Sequence, residues 1–122
     1  MDTSSSKKAD SIWAVTPEKV EAAVRRAVEV AHPTAVYLFG SCVNPKADGS
    51  PPNDMDMLVV ASDTIANTND ESVRIRAALD EICMPMDIVV ATANRFRELA
   101  TVQGMLYHEV MKTGRRVYES AA

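Results

Sequence analysis

The strongest constraint on the fold of this chain is a set of three short segments rich in strand-forming residues. They read AVYLF over residues 35–39, DMDMLVVA over residues 54–61 and MDIVVA over residues 86–91. Segments of this length are typical of β-strands, and the first is apolar enough to be covered on both faces of a sheet. The longest unbroken apolar runs have five residues, whereas a membrane-spanning helix needs about 20. We therefore expect no membrane contact and a cytoplasmic location.

Helical patterns separate these strands. Thr16 followed by Pro17 predicts a helix start, with threonine as the N-cap and proline at the first position. Pro33 predicts the end of that helix. Further patterns predict helices over residues 69–83, capped by Asn69 or Asp70, over residues 93–100 and over residues 104–113, capped by Gly114, and then a last edge strand over residues 115–118.

This alternation of helices and strands also bounds the number of domains. The chain has no internal repeat, and 122 residues suit a single domain. The pattern therefore predicts an α/β (α+β) domain over residues 11–122, with a small mixed sheet flanked by helices. Residues 1–10 (MDTSSSKKAD) are polar and are expected to form a flexible tail.

The acidic residues are unevenly distributed along the chain. The net charge is −4, which argues against the broad basic surface of a nucleic-acid-binding protein. Residues 48–90 contain nine acidic and two basic residues, so they carry the whole acidic excess. The two cysteines, Cys42 and Cys83, form no CxxC pair and are expected to be small, buried and reduced.

Two of the acids stand at the head of an apolar strand. Asp54 and Asp56 are two residues apart, so on a strand both carboxylates project from one face, with Cα atoms about 6.5–7 Å apart. Aspartate is a poor strand former, and neighbouring like charges are unfavourable unless a cation bridges them. Ligands that are oxygen only favour Mg²⁺ or Mn²⁺ over zinc. The alternative is a pair of solvated acids at a strand end.

Asp87 is the second residue of the next apolar strand, again against its strand propensity. If that strand pairs with the strand of Asp54 and Asp56, three carboxylates converge on one face of the sheet. Three such acids can hold two divalent ions about 3.5–4 Å apart, which stabilises the attacking and leaving oxygens in phosphoryl transfer. Taken alone, Asp87 is equally compatible with a solvated acid at a strand edge.

Gly40 and Ser41 directly follow the first strand. A glycine at this point lets a ligand approach the backbone closely, and successive N–H groups in such a turn form a cradle for an anion. The Ser41 hydroxyl can donate one more hydrogen bond. On its own the Gly-Ser pair is also compatible with an ordinary turn.

Together these motifs resemble a known family. The stretch LFGS, a spacer of twelve residues, DMDMLVV and the later MDIVV are similar to the pattern of the minimal nucleotidyltransferases. These belong to the DNA polymerase beta-like nucleotidyltransferase superfamily. The ending LYHEVMKTGRRVYE, read as a helix, a glycine and a short strand, also resembles the usual end of this family. The similarity covers residues 17–119.

The resemblance implies a fold, a reaction and a role for each residue of the motif. In the nucleotidyltransferase fold, Gly40 and Ser41 would hold the triphosphate of ATP or another nucleoside triphosphate. Asp54 and Asp56 would ligate two Mg²⁺ ions. Asp87 would complete one metal site and orient or deprotonate the attacking hydroxyl. Attack at the α-phosphorus expels pyrophosphate, so catalysis is mostly positioning and charge neutralisation.

The resemblance also implies a protein partner. Larger members of the superfamily carry a further domain that binds the acceptor, and 122 residues are not expected to hold one. Recognition of the acceptor would then come from another protein. The resemblance points to a HEPN-type toxin, with this chain as the antitoxin that transfers AMP to a toxin tyrosine, in a homo- or hetero-oligomer.

The sequence departs from the family pattern after Gly-Ser. Family members often have Ala-Arg-Gly there, whereas this chain has Val43, Asn44 and Pro45, and Asn53 replaces the frequent serine before the acidic pair. Loss of the arginine removes a phosphate or partner contact. This keeps open a second hypothesis, a non-catalytic antitoxin that neutralises its partner by binding it. A third, a phospho-acceptor receiver domain, would place the acidic pair where this chain has Gly-Ser.

The remaining polar residues are weaker candidates. His32 and His108 have no cysteine or histidine partners at zinc spacing, so both are expected to be structural or at the surface. Trp13 either covers an apolar patch or meets a partner chain. Basic residues near the C-terminal helices are either solvated or contact an acidic partner or the acceptor, and they are Arg95, Arg97, Lys112, Arg115 and Arg116.

Overall fold

The computed structural model describes residues 12–121, and the predicted tail over residues 1–10 lies outside this part of the chain. Helices and strands alternate along it in the predicted order. They are α1 (Pro17–Ala31), β1 (Ala35–Phe39), a 3-10 turn (Gly40–Cys42), β2 (Met55–Ala61), α2 (Thr68–Ala78), β3 (Met86–Thr92), α3 (Ala93–Leu99), α4 (Leu106–Thr113) and β4 (Arg115–Glu119). Within residues 12–121, no helix has the length and apolar character needed to cross a bilayer.

Local interactions set both ends of α1. The Thr16 hydroxyl accepts a hydrogen bond from the Lys19 backbone N–H at 3.3 Å, and Pro17 takes the first helical position. This confirms the predicted start. At the other end His32 adopts a left-handed conformation (φ 46°) and donates its backbone N–H to the last turn. Pro33 follows and cannot continue the helix, so the predicted end is confirmed as well.

Two predicted boundaries of α2 are wrong. The N-cap is Asn67, whose Oδ1 accepts hydrogen bonds from the backbone N–H groups of Asn69 and Asp70 at 2.9 and 3.1 Å. Those two residues therefore lie inside the first turn. The helix ends at Ala78 and does not continue to Cys83. After Ala78 the chain forms turns with hydrogen bonds between residues i and i+3, and apolar side chains of these turns still pack in the core. The apolar pattern in the sequence therefore continues past the end of the helix.

The strands form one four-stranded sheet in the order β3-β2-β1-β4. β1 is antiparallel to both β2 and β4, whereas β2 and β3 are parallel. The predicted mixed sheet and its C-terminal edge strand are thus confirmed, although β2 begins at Met55 and not at Asp54. Because of these directions, the end of β1 and the starts of β2, β3 and β4 all lie at the same end of the sheet.

Two hydrophobic clusters pack on opposite faces of the sheet, because side chains alternate along each strand. The α1–α2 face carries the larger cluster, which includes Ala23, Ala27, Val36, Leu38, Met55, Met57, Val59 and Ile75. The α3–α4 face carries Leu58, Val60, Ala91, Phe96 and Val110. On that face the Phe96 ring lies 5.3 Å from the Tyr37 ring and 6.0 Å from the Tyr107 ring, measured between centroids.

Candidate active site

Asp56 and Asp87 occupy directly paired positions on the neighbouring parallel strands β2 and β3. Alternation along β2 puts Asp56 on the α3–α4 face with Leu58, and Asp87 shares that face with Val89. Asp54 immediately precedes β2 and is half-buried, as Asp56 is. The structure therefore brings all three aspartates singled out from the sequence to one end of the sheet.

The electrostatics of Asp56 reflect this crowding. Its pKa is raised to about 6, first by burial and then by the negative charges of Asp54 and Asp87. Each of these effects disfavours the ionised carboxylate, and a bound cation would reverse the balance. A cation bound beside Asp56 would therefore stabilise the ionised form of its carboxylate.

Asp87 also has a partner outside the sheet. Nη2 of Arg76 in α2 lies 3.6 Å from Oδ1 of Asp87, and both side chains are about half exposed. Within residues 12–121, no three His, Cys, Asp or Glu side chains are arranged as a ready-made metal site. The donor set still suits Mg²⁺, which keeps several waters and binds through one or two carboxylates plus substrate phosphates. Asp54 and Asp56 are the residues that fit this mode of binding.

Gly40 packs directly against one of these acids. Its φ is +72°, a left-handed conformation that side chains other than glycine rarely adopt, and a Cβ here would collide with Oδ2 of Asp56. Glycine is therefore required directly after β1 for two reasons, the backbone conformation and the carboxylate beside it. Any side chain at residue 40 would collide with that carboxylate.

Cys42 connects the 3-10 turn to the segment that contains Asp54 and Asp56. Its Sγ donates a hydrogen bond to the Asp54 carbonyl at 3.4 Å. Burial and the nearby Asp56 carboxylate raise the pKa of the Cys42 thiol, which keeps it protonated and able to donate. Cys42 and Cys83 are both free, as expected, but they are half-buried where burial was predicted.

Asn44 has a structural role that the sequence did not reveal. Its Nδ2 donates a hydrogen bond to the Thr113 carbonyl at 3.1 Å, which ties the loop after the 3-10 turn to the end of α4. Gly114 then caps α4 as predicted, with an ordinary φ of −78°. A Cβ on Gly114 would lie 2.6 Å from the Val110 carbonyl oxygen and 3.0 Å from that of Leu38. Because Thr113 lies two residues before β4, its contact with Asn44 places Asn44 beside the start of that strand.

A groove of about 740 Å³ opens next to the 3-10 turn, on the α1–α2 face. Apolar side chains of α1, β1 and β4 form much of its wall, and these are Val20, Val24, Val28, Leu38, Val117 and Tyr118. Ser41, Cys42 and Arg115 line it at the end of the sheet that also carries the three aspartates. The groove and the three aspartates thus lie at the same end of the sheet but on opposite faces, and Arg115 contributes a positive charge to the groove wall.

Apart from Arg115, the weaker candidates from the sequence do not line this groove. His32 ends α1 and His108 lies in α4. Nη1 of Arg97 donates a hydrogen bond to Asn94 Oδ1 at 2.8 Å on the surface of α3. Trp13 lies before α1 and is 58% exposed.

The family of the chain follows from comparison with known proteins. Residues 19–122 match the family model described as Polymerase beta, Nucleotidyltransferase, while no protein of curated function matches the chain in sequence. A crystal structure of a toxin–antitoxin with AMP-PNP is 23% identical and covers 83% of this chain and 74% of that one, with a TM-score of 0.49. A toxin–antitoxin MntA–HpeT mutant is 20% identical, with coverages of 88% and 76% and a TM-score of 0.49. Because the family match spans most of its length, this chain belongs to the polymerase beta nucleotidyltransferase family.

Proposed function

We propose that this protein is a Mg²⁺-dependent nucleotidyltransferase that moves AMP from ATP to a hydroxyl acceptor. The observation that carries the proposal is the placement of Asp56 between Gly40 of the Gly-Ser turn and Asp87 of the next strand. A carboxylate held between a glycine turn and a second carboxylate suits a bound cation and a phosphate better than it suits packing. The raised pKa of Asp56 has the same origin, since a cation would relieve the crowded negative charge.

Each residue of the site has a distinct role in this proposal. Asp54 and Asp56 would hold two Mg²⁺ ions together with the nucleotide phosphates. Asp87 would complete one of the two metal sites, orient the acceptor hydroxyl and accept its proton. Ser41 donates its hydroxyl to a phosphate oxygen, and Gly40 leaves room for the phosphate to approach. When bound, Mg²⁺ neutralises charge at the α-phosphate and on the leaving group.

The transfer itself is a displacement at phosphorus. The acceptor oxygen forms a bond to the α-phosphorus, the bond from that phosphorus to the bridging oxygen breaks, and pyrophosphate leaves. The protein contributes alignment of the two oxygens and a fixed electrostatic environment, which are the main sources of rate enhancement in such reactions.

We further propose that the acceptor is the tyrosine hydroxyl of a HEPN-type toxin, so that this chain acts as the antitoxin. Support comes from the resemblance of LFGS and DMDMLVV to the minimal nucleotidyltransferases. The acceptor would bind at the end of the sheet where Asp87 is exposed, which leaves its carboxylate accessible to a hydroxyl from another protein.

The deciding experiment is the incubation of this protein with α-labelled ATP, Mg²⁺ and the product of the neighbouring gene. We expect label on the partner, and a loss of about 100-fold or more in Asp56→Asn and Asp87→Asn. The matched control is Asp80→Asn, because Asp80 is an exposed acid outside the site. Label that persists in Asp56→Asn would contradict the site assignment.

A second function, binding without turnover, is favoured by one observation. Asn44 occupies a position where the family often has an arginine, and its side chain is used to hold the Thr113 carbonyl. In that case this protein neutralises its partner by covering it. A tight complex of the wild-type proteins with no transfer of label would support this function and contradict the enzymatic one.

A further inference from the structure

We propose that Arg115 binds the β- and γ-phosphates of the nucleotide, the part that leaves as pyrophosphate. The inference rests on the proposed function, because it names a further contact for the same substrate. It assigns a task to a basic residue that the sequence leaves as either solvated or in contact with a partner. It rests on the course of the 3-10 turn, on the position of Arg115 and on the lack of an ion-pair partner for Arg115 among residues 12–121.

The 3-10 turn connects the acidic face of the sheet to the groove. Gly40 lies against Asp56 on the α3–α4 face. Cys42 instead packs against the hydrophobic cluster on the α1–α2 face and lines the groove together with Ser41. A chain of phosphates that starts at Asp56 and follows the Gly-Ser turn is therefore led toward the groove, where Arg115 forms part of the wall.

Arg115 is placed to meet the far end of such a chain of phosphates. It begins β4 and pairs with Leu38, one residue before the end of β1. Its positive charge is close enough to oppose the rise in the pKa of the Cys42 thiol. A guanidinium donates two parallel hydrogen bonds to a phosphate, which makes arginine well suited to this contact.

The neighbouring arginine offers an internal comparison. Arg116 pairs in register with Tyr37 on the opposite face of the sheet, and its Nη1 lies 3.4 Å from Oε2 of Glu119. Arg115 has no ion pair with any residue among 12–121. The two adjacent arginines of β4 thus lie on opposite faces of the sheet, and only Arg116 forms an ion pair among the described residues. Of the two, only Arg115 lines the groove with Ser41.

The other charges of the groove do not replace Arg115. Arg25 also lines the groove and forms no ion pair within residues 12–121, but it lies on α1 with an acidic residue, Glu21 or Glu29, one helical turn away on each side. The contact between Asn44 and the Thr113 carbonyl keeps the loop after the turn beside the start of β4. Arg115 is consequently held near the Gly-Ser turn by the fold itself.

The test compares two nucleotides that differ only in the phosphates beyond the α position. Binding of α,β-methylene-ATP and of AMP is measured by calorimetry in Mg²⁺ for the wild type, Arg115→Gln and Arg116→Gln. The α,β-methylene bridge prevents transfer, so the readout is independent of turnover. We expect Arg115→Gln to weaken α,β-methylene-ATP about tenfold or more and to leave AMP affinity within about twofold. Arg116→Gln should change neither affinity.

Two further variants complete the test. Arg115→Lys keeps the charge but loses the two parallel donors, so its loss of affinity should be intermediate. Asn44→Arg combined with Arg115→Gln returns a cation beside the start of β4 and should recover part of the affinity. A melting temperature within a few degrees of the wild type will show that each variant is folded.

The possible failures are distinguishable. Wild-type affinity for α,β-methylene-ATP in Arg115→Gln, or an equal loss for AMP, would overturn the role of Arg115 and leave the proposed function intact. Absence of binding of α,β-methylene-ATP to the wild-type protein would overturn the proposed function, and the inference with it.

Discussion

The guanidinium of Arg76 lies 3.6 Å from a carboxylate oxygen of Asp87 and donates a hydrogen bond to the Ile88 carbonyl at 3.4 Å. Arg76 reaches from α2 to the start of β3, so a positive charge already lies beside the third acid of the site. Opposite charges attract and like charges repel over such distances. Arg76 and a metal cation therefore compete for the same region.

Replacement of Arg76 by glutamine should strengthen the binding of Mn²⁺ or Mg²⁺ to the nucleotide-free protein. An exposed ion pair is worth up to about 1 kcal/mol, which corresponds to an increase of up to about fivefold in affinity. Calorimetry at low ionic strength measures the change. Arg26→Gln is the control, because it breaks an exposed pair with Glu81 away from the site. Weaker metal binding in Arg76→Gln would contradict this competition.

Gly40→Ala should disturb the site more than Gly49→Ala does. Both glycines have left-handed backbones, with φ of 72° and 77°, so alanine costs about 1–2 kcal/mol in conformational strain at either position. At residue 40 the added Cβ also meets the Asp56 carboxylate, whereas at residue 49 it meets nothing within 4 Å. Gly40→Ala should therefore lower the free energy of unfolding further and abolish Mn²⁺ binding. Denaturant titration and calorimetry measure both effects, and equal losses in the two variants would contradict the contact.

The titration of Asp56 should make stability depend on pH. Its pKa of about 6 in the folded protein lies above the value of about 4 expected in the unfolded chain. Between these values the folded protein holds a proton that the unfolded chain has lost, so this group lowers the free energy of unfolding as pH rises. Asp56→Asn removes the effect. In the absence of metal, the melting temperature of Asp56→Asn minus that of the wild type should therefore grow from pH 4 to pH 7. A constant difference would contradict the raised pKa.

Lys19→Met should destabilise the fold without altering the site. The Lys19 ammonium donates hydrogen bonds to the carbonyls of Ile12, Ala14 and Cys83 at 2.6, 2.8 and 2.8 Å. It therefore ties the segment before α1 to the turn before β3. Hydrogen bonds from a charged group are strong, so we expect the free energy of unfolding to fall by about 2–3 kcal/mol. Lys46→Met, in an exposed loop, should stay within about 0.5 kcal/mol of the wild type. Similar values for both variants in denaturant titrations would contradict the role of Lys19.

The parts of the fold that the sequence predicted are those set by neighbouring residues. Both limits of α1 follow from Thr16, Pro17 and Pro33, which act within one turn of the helix. β1 matches the predicted residues because its apolar run is interrupted on both sides. The end of α2 was misplaced because apolar residues continue at helical spacing in the turns beyond Ala78, where tertiary contacts and not helix periodicity bury them.

The candidate site depended on one condition that the sequence could not settle. The three aspartates were recognisable, but their convergence required the second and third strands to be neighbours, which the sheet order establishes. The contacts of Arg76 with Asp87 and of Asn44 with Thr113 were not predictable. Each joins residues of different elements whose approach is decided by packing.

The register between β2 and β3 determines which substitutions leave the aspartates of the site correctly placed. Asp56 stands beside Asp87 because Leu58 stands beside Val89 and Val60 beside Ala91 in the same parallel ladder. A slip of one residue would turn Asp87 to the other face of the sheet. Packing of the apolar side chains between the helices and the sheet therefore fixes the distance between Asp56 and Asp87. Substitutions among these apolar residues, far from any charge, can therefore abolish activity while the sheet stays folded. Substitutions in the loops at the end of the sheet leave this register intact, so these loops can change to bind a new acceptor.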